Sequence, residues 1–238
     1  MPAPLTTRVL EDIGRAIVSG ALAEGEVLRM EDLARTHQVS RTVAREALRV
    51  LDSMDLVMVR QRVGVVVRPS SEWNVFSPLV VRWRLESHGR EHQLRSLTAL
   101  RAGVEPLAAA AMAHSPDRGT VTRLLEAAED MARRARDGDL DAFLERDIEF
   151  HSTILANCGN EMFAALQAPI TEVLRARHVL ALMPDHPRDI PVQLHRLVAL
   201  GIRDGDARTA QAAMSQIVEE VRTVVAETTP RSPTEVAH

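Results

Sequence analysis

The chain has 238 residues, is 45% hydrophobic and 26% charged, and carries a formal net charge of −4. This is the composition of a soluble globular protein with one large domain or two ordinary ones, and no stretch approaches the roughly 18 apolar residues of a membrane span. Aromatics make up only 3%, and the single cysteine, Cys158, excludes an internal disulfide and any cysteine-based zinc cluster, as suits a reducing cytoplasm.

The charge is unevenly placed. Residues 35–68 hold 7 Arg against 3 acids, a net of +4, whereas residues 72–238 hold 19 Arg against 24 acids, a net of −5. A basic island in an acidic chain implies a local anionic partner.

In chain order, "MPAPLTTRVLEDIGRAIVSG" sets acids inside its apolar pattern, so it does not read as a secretory signal. Val9, Ile13, Ala16 and Ile17 form one helical face, stopped by Ser19-Gly20. "EDLARTHQ" is a short helix. Ser40 is placed to cap the next, "RTVAREALRVL". There Val43, Ala44, Ala47, Leu48 and Leu51 face inward, and Arg41, Thr42, Arg45 and Arg49 share the opposite side. "LVMVRQRVGVVVRP" is β-branched on both sides of a "QRVG" turn and reads as a hairpin. "RPSSEWNVFSP" breaks the pattern and marks a linker. Beyond it the apolar spacing predicts only helices, over about 79–88, 91–113, 117–137, 139–157, 160–183, 191–204 and 206–227.

The expected fold is therefore mainly α: an N-terminal winged helix-turn-helix over 1–70, a linker over 71–78, an all-α helical bundle over 79–229, and a disordered tail over 230–238. A winged helix-turn-helix lays its last helix in the DNA major groove. Arg41, Thr42, Arg45 and Arg49 would face that groove, with Ser40 at the helix start and Arg35 on the preceding helix beside them. Arg60 and Arg62 of the wing would reach the backbone or minor groove, and Gly64 frees the turn. The plainer alternative for any one of these arginines is a solvated surface residue.

The stretch "VSRTVAREALRVL" within 39–51 carries a resemblance. It is similar to the DNA-binding domain of GntR-type bacterial transcription regulators, which read V-S-R-T-P-V-R-E-A-L-R-x-L there. Three departures stand out: "TVARE" lacks the Pro, Arg29-Met30 replaces a Ser-Glu helix opening, and Asp55 stands where Gly is common. The second half resembles the FCD effector domain of the FadR-like branch. Its motifs appear as "RAGVEP" (101–106), "DIEFH" (147–151) and "HRLVALGI" (195–202), and "WNVFSPLVVRWRLE" looks most like the sugar-acid, galactonate-type branch.

Asp147 and His151 are four apart on one helix, and His195 lies on an apolar face with Val198 and Ile202. An Asp and two His on apolar faces suit a divalent metal ion: zinc first, with nickel, manganese or iron as alternatives. Related domains supply a further His at the position of Ile217, and His178 could substitute. Arg101 would clamp a carboxylate effector, unless Glu105 or another acid pairs with it.

The resemblance implies a cytoplasmic, homodimeric transcription regulator, a repressor that binds double-stranded operator DNA and is released by a small carboxylate effector such as an aldonate sugar acid, with no membrane involvement. The alternative is a helical metalloenzyme using the Asp/His/His centre to activate water. A bare structural adaptor is the third option.

Overall fold

A computed structural model of the chain describes residues 4–179 and 189–228. The expected tail at 230–238 and the end of the expected 160–183 helix lie outside the described residues. The chain divides into two compact units at Arg90/Glu91.

In the first unit, α1 (Leu5–Val18) buries Val9, Leu10, Ile13, Gly14 and Ile17. Its chain reverses at Gly20, whose φ of 80° is the left-handed geometry that glycine tolerates. A two-residue strand, β1 (Val27–Leu28), follows. It was not expected, since two residues carry no alternation to read. α2 (Met30–Thr36) starts at Arg29 without a side-chain cap, as the missing Ser-Glu opening implies. α3 (Arg41–Ser53) is capped: the Ser40 hydroxyl accepts from the Val43 N–H at 3.3 Å. β2 (Val57–Arg60) and β3 (Gly64–Val67) form the hairpin, with Val57 opposite Val67 and Arg60 opposite Gly64. β1 joins the far edge of β3, giving an antiparallel sheet in the order β1-β3-β2.

α4 (Pro78–Glu86) completes this unit. Its Val80 and Trp83 lie in one core with Val9, Ile13, Ile17, Leu48 and Leu51. The Trp83 ring occupies the place where a Cβ on Gly14 would stand, 2.3 Å from its nearest ring carbon. Its indole Nε1–H donates to Glu11 at 2.7 Å, and Arg82 pairs with the same carboxylate. Expectation put the helical domain from residue 79; the second compact unit instead begins at Glu91, because α4 buries its apolar side against α1.

The second unit holds α5 (Arg90–Ala113), α6 (Arg118–Asp137), α7 (Leu140–Asn157), α8 (Glu161–Ala164), α9 (Gln167–Val179), α10 (Asp189–Asp204) and α11 (Ala207–Thr228). Among its described residues there is no strand. Acidic and amide caps set the helix starts: Asp117 accepts from Thr120 N–H at 2.8 Å, Asp139 from Ala142 at 3.2 Å, and Asp206 from Thr209 at 3.1 Å. The expected single helix over 160–183 is two helices. Asn160 caps the one-turn α8, and Pro169 sits in the first turn of α9, where its missing N–H costs nothing. α10 and α11 approach closely at Gly201, where a Cβ would come within 2.7 Å of the Ala210 backbone nitrogen. Leu124, Met131, Phe150, Ile154, Leu174, Val198, Ile202 and Met214 form the centre of the bundle core.

Candidate functional site

Two groups of residues are candidates, one exposed and one buried. On the first unit, α3 buries Ala44, Ala47, Leu48 and Leu51 and exposes Arg41, Thr42, Arg45 and Arg49. The arginines differ in their partners. Arg35 is bonded to Asp32 at 2.7 Å, Arg49 to Glu46 at 2.9 Å, and Arg41 lies 3.5 Å from Glu31. Arg45, Arg60 and Arg62 are exposed and have no acidic partner among the described residues. Arg62 takes a left-handed φ of 62° in the wing turn and Gly64 a φ of 127°. Gly64 also lies close to β1, so a side chain there would press on Val27 at 3.2 Å.

In the second unit, five buried polar residues converge from three helices: Arg101 and Glu105 of α5, Asp147 and His151 of α7, and His195 of α10. Helical spacing explains the first two pairs, since residues four apart stack on one face. The Nε2 atoms of His151 and His195 approach the same Asp147 oxygen, at 3.3 Å and 3.1 Å. One ligand atom from each of Asp147, His151 and His195 lies within 4.8 Å of the others. The Phe150 ring meets both imidazoles edge-on, with centroids 5.9 Å and 5.1 Å away.

Glu105 joins this trio to Arg101. Its Oε1 accepts from Arg101 Nε at 2.7 Å, while its Oε2 accepts from Arg101 Nη2 at 3.2 Å and lies 2.8 Å from His151 Nδ1. Arg101 is thus ion-paired along its own helix, the arrangement that competes with a free carboxylate clamp. Its Nη2 lies 3.5 Å from His151 Nε2, and its Nη1 is buried with no hydrogen-bond partner.

Charge pairing dominates the titration of the cluster. Burial works to raise the Glu105 carboxyl, but the Arg101 charge and then His151 hold it down at about 2. Burial likewise opposes ionisation of Asp147, yet the hydrogen bond and charge of His151, and then His195, keep it well below the usual carboxylate range. Burial pushes the His151 imidazole down, and Glu105 with Asp147 outweighs it and raises it.

The donor set fits a divalent ion, since two imidazoles and a carboxylate bring their ligand atoms together in one buried place. A metal-bound imidazole must offer a lone pair on one nitrogen and keep a proton on the other, held by an acceptor. Glu105 Oε2 lies 2.8 Å from His151 Nδ1, an ion-pair contact outside hydrogen-bond geometry, and Nε2 faces Asp147 and His195. His178, the substitute ligand considered from sequence, is engaged elsewhere: its Nε2 lies 2.8 Å from Asp141. Ile217 is buried in the bundle core and adds no polar atom.

Comparison with known proteins decides the family. Residues 5–67 match the description "Bacterial regulatory proteins, gntR family", and residues 96–220 match the FCD domain. The chain is a GntR-family transcription regulator with an FCD domain. It is 29% identical to the galactonate operon transcriptional repressor of Escherichia coli (strain K12) over 222 residues, covering 91% of this chain and 95% of that one. It is also 29% identical to the gluconate operon transcriptional repressor of Bacillus subtilis (strain 168) over 148 residues, 62% of this chain and 53% of that protein. Among solved structures, Lar, described as controlling the Listeria monocytogenes agr system, gives a TM-score of 0.59 at 16% identity, covering 96% of this chain and 100% of the other. E. coli McbR/YncC gives 0.54 at 16%, covering 95% and 99%. At those identities the structures establish a shared fold.

The enzymatic alternative finds no support among these relatives, and the chain is a DNA-binding regulator. Sequence reasoning missed one residue of this FCD domain. Arg177 lies on α9, on the stripe with Ile170, Val173 and Leu174, which are buried. It is partly buried and has no hydrogen-bond or ion-pair partner among the described residues. Burial and then the like charge of Arg101 lower it to about 10, with Asp147 and Glu105 opposing. A cation on an apolar helix stripe was the available signal, obscured by reading 160–183 as one helix.

Proposed function

We propose that this regulator is a repressor of organic-acid catabolism genes, released from its operator when a carboxylate effector, a 2-hydroxy acid of the aldonate kind, binds inside the FCD domain. The carrying observation is the convergence of Asp147, His151 and His195 in one buried cluster that Glu105 ties to Arg101. Similarity to repressors of galactonate and gluconate operons supports the effector class.

Asp147, His151 and His195 would hold a divalent ion, zinc before nickel, manganese or iron. When bound, such an ion supplies an electrophilic centre for the oxygens of a hydroxy acid. The protein's own part is orientation and charge. Glu105 sets a negative charge beside His151 Nδ1, Phe150 walls the imidazoles, and Arg101 offers its unpartnered Nη1 to a ligand oxygen. Glu105 and Asp147 raise the His151 imidazole, so a proton competes with a metal ion for its Nε2.

DNA recognition falls to α3 and the wing of a cytoplasmic homodimer, which reads a two-fold operator with two-fold symmetry. Arg45, Arg60 and Arg62, exposed and without acidic partners, are the readiest to meet DNA; Arg41, Arg49 and Arg35 exchange an intramolecular acid for a phosphate or base. Ser40 and Thr42 contribute hydroxyl donors near the helix N-terminus. Effector acts by binding one arrangement of the dimer better than the other. The test is a gel shift on the promoter of the protein's own gene with and without D-galactonate. Operator binding that weakens with galactonate supports the reading; no binding to any flanking promoter removes it.

A further inference from the structure

Three polar groups around the FCD cluster lack the partners that buried or half-buried polar groups ordinarily find. Thr98 is 1% exposed and its Oγ1 has no hydrogen-bond partner. Arg101 Nη1 is likewise buried and unpartnered. Arg177 has no acid or acceptor among the described residues, although it lies on the inward stripe of α9 and feels the charges of Arg101, Asp147 and Glu105. Thr98, Arg101 and Glu105 are spaced i, i+3, i+7, so they line one face of α5. The unpartnered Thr98 Oγ1 and Arg101 Nη1 therefore belong to neighbouring positions of one helix face.

The charges do not balance for a simple acid. Arg101 and Glu105 cancel as a pair. A divalent ion on Asp147 and two neutral imidazoles leaves one positive charge, and Arg177 adds a second. A ligand with one carboxylate leaves one of these charges without a counter-charge, and Arg177 is only partly exposed to water. A ligand with two carboxylates compensates both.

Resting on the carboxylate-effector reading above, we propose that Arg177 forms a second anion subsite beside the metal and Arg101, with Thr98 meeting the ligand's hydroxyl end, so that this regulator selects a dicarboxylic hydroxy acid over the corresponding monocarboxylic acid. One end of the ligand, a 2-hydroxy carboxylate, meets the ion and Arg101 Nη1, and the far carboxylate takes the Arg177 guanidinium, whose planar fork matches it bidentately. Thr98 donates to or accepts from a ligand hydroxyl.

The experiment is isothermal titration calorimetry on the full-length, metal-loaded protein with two matched pairs: D-galactonate against D-galactarate, and L-lactate against L-malate. Within each pair the 2-hydroxy carboxylate end is shared and only the second carboxylate differs. The expected result is a Kd at least about tenfold lower for the dicarboxylate in at least one pair. Arg177→Gln brings the two members within about threefold by weakening the dicarboxylate alone, Arg177→Lys restores part of the preference, and Thr98→Val weakens both members alike. Metal content, by elemental analysis, stays at the wild-type level in all three variants. Equal affinity within both pairs, or an Arg177→Gln protein with the wild-type preference, overturns the inference while binding of the monocarboxylates leaves the proposed function standing. Failure of all four acids to bind metal-loaded protein overturns both.

Discussion

Asp55 shows how much one residue reveals about a turn. It follows α3 with a φ of 58°, in the left-handed region that disfavours side chains and that glycine adopts most readily. Asp tolerates the geometry, and here its carboxylate also lies 3.5 Å from Arg68. Asp55→Gly should shift stability by less than about 0.5 kcal/mol, because a half-exposed ion pair is worth little, whereas Asp55→Val should cost about 1–2 kcal/mol; urea denaturation measures both. Glu105 carries a larger load, since it is the shared partner of Arg101 and His151. Breaking a buried pair by removing one charge costs about 3–5 kcal/mol, and losing an outer-shell acceptor costs about 10–100-fold in metal affinity. Glu105→Gln should therefore both destabilise the FCD domain and weaken its hold on metal; a variant with wild-type metal affinity would remove Glu105 from the site. Asp147, His151 and His195 were legible in the sequence from spacing and family motif. The Arg101–Glu105 pairing was foreseeable but undecided, since i, i+4 spacing permits it without requiring it. Arg177 was not recognised, because reading 160–183 as one helix hid that it continues the buried stripe of Ile170, Val173 and Leu174 on α9.

At the scale of elements, caps and close approaches set where the helices begin and how near they come. The carboxyls of Asp117 and Asp206 lie below their usual value, the first chiefly through the Thr120 backbone N–H and the second chiefly through the Thr209 hydroxyl. A carboxylate lowered by folding stabilises above its unfolded value of about 3.8 and loses that contribution as pH falls through the lowered folded value. Acid unfolding of an Asp117→Asn, Asp206→Asn variant should accordingly depend less on pH below about 4 than the wild type; identical acid profiles would show that the caps carry no such linkage. Gly14 and Gly201 are close-approach positions, against Trp83 and the Ala210 backbone. Ala at either should cost about 1–3 kcal/mol by overpacking. The helices were largely legible because their apolar stripes are regular. Which unit α4 would join was not, since the gap that Gly14 leaves in the α1 face is visible in sequence while the ring that fills it, Trp83, lies beyond the linker. The α8–α9 break was hidden for a related reason: Pro169 in a first turn reads the same as Pro within a continuing helix until the cap at Asn160 is seen.

The whole molecule carries a GntR DNA-binding unit and an FCD unit. Arg45→Ala should cost about 1–3 kcal/mol of operator binding if it reads a base. Arg60→Ala and Arg62→Ala should weaken binding to all sequences and flatten its dependence on salt, and titrations at two salt concentrations separate the two behaviours. Normal operator binding by an Arg41→Ala, Arg45→Ala double variant would contradict the assignment of α3. The central claim is that a metal-centred FCD site couples a hydroxy-acid effector to release of DNA. Its most direct test is a galactonate- and galactarate-titrated gel shift on the protein's own promoter, run on wild type and His151→Ala with elemental analysis of both. The expected result is about one divalent ion per wild-type chain and operator release by at least one acid, with His151→Ala losing metal and response while still binding DNA. A wild type that holds no metal, or a His151→Ala protein that responds as the wild type does, would contradict it and leave Asp147, His151 and His195 as ordinary polar residues of the core.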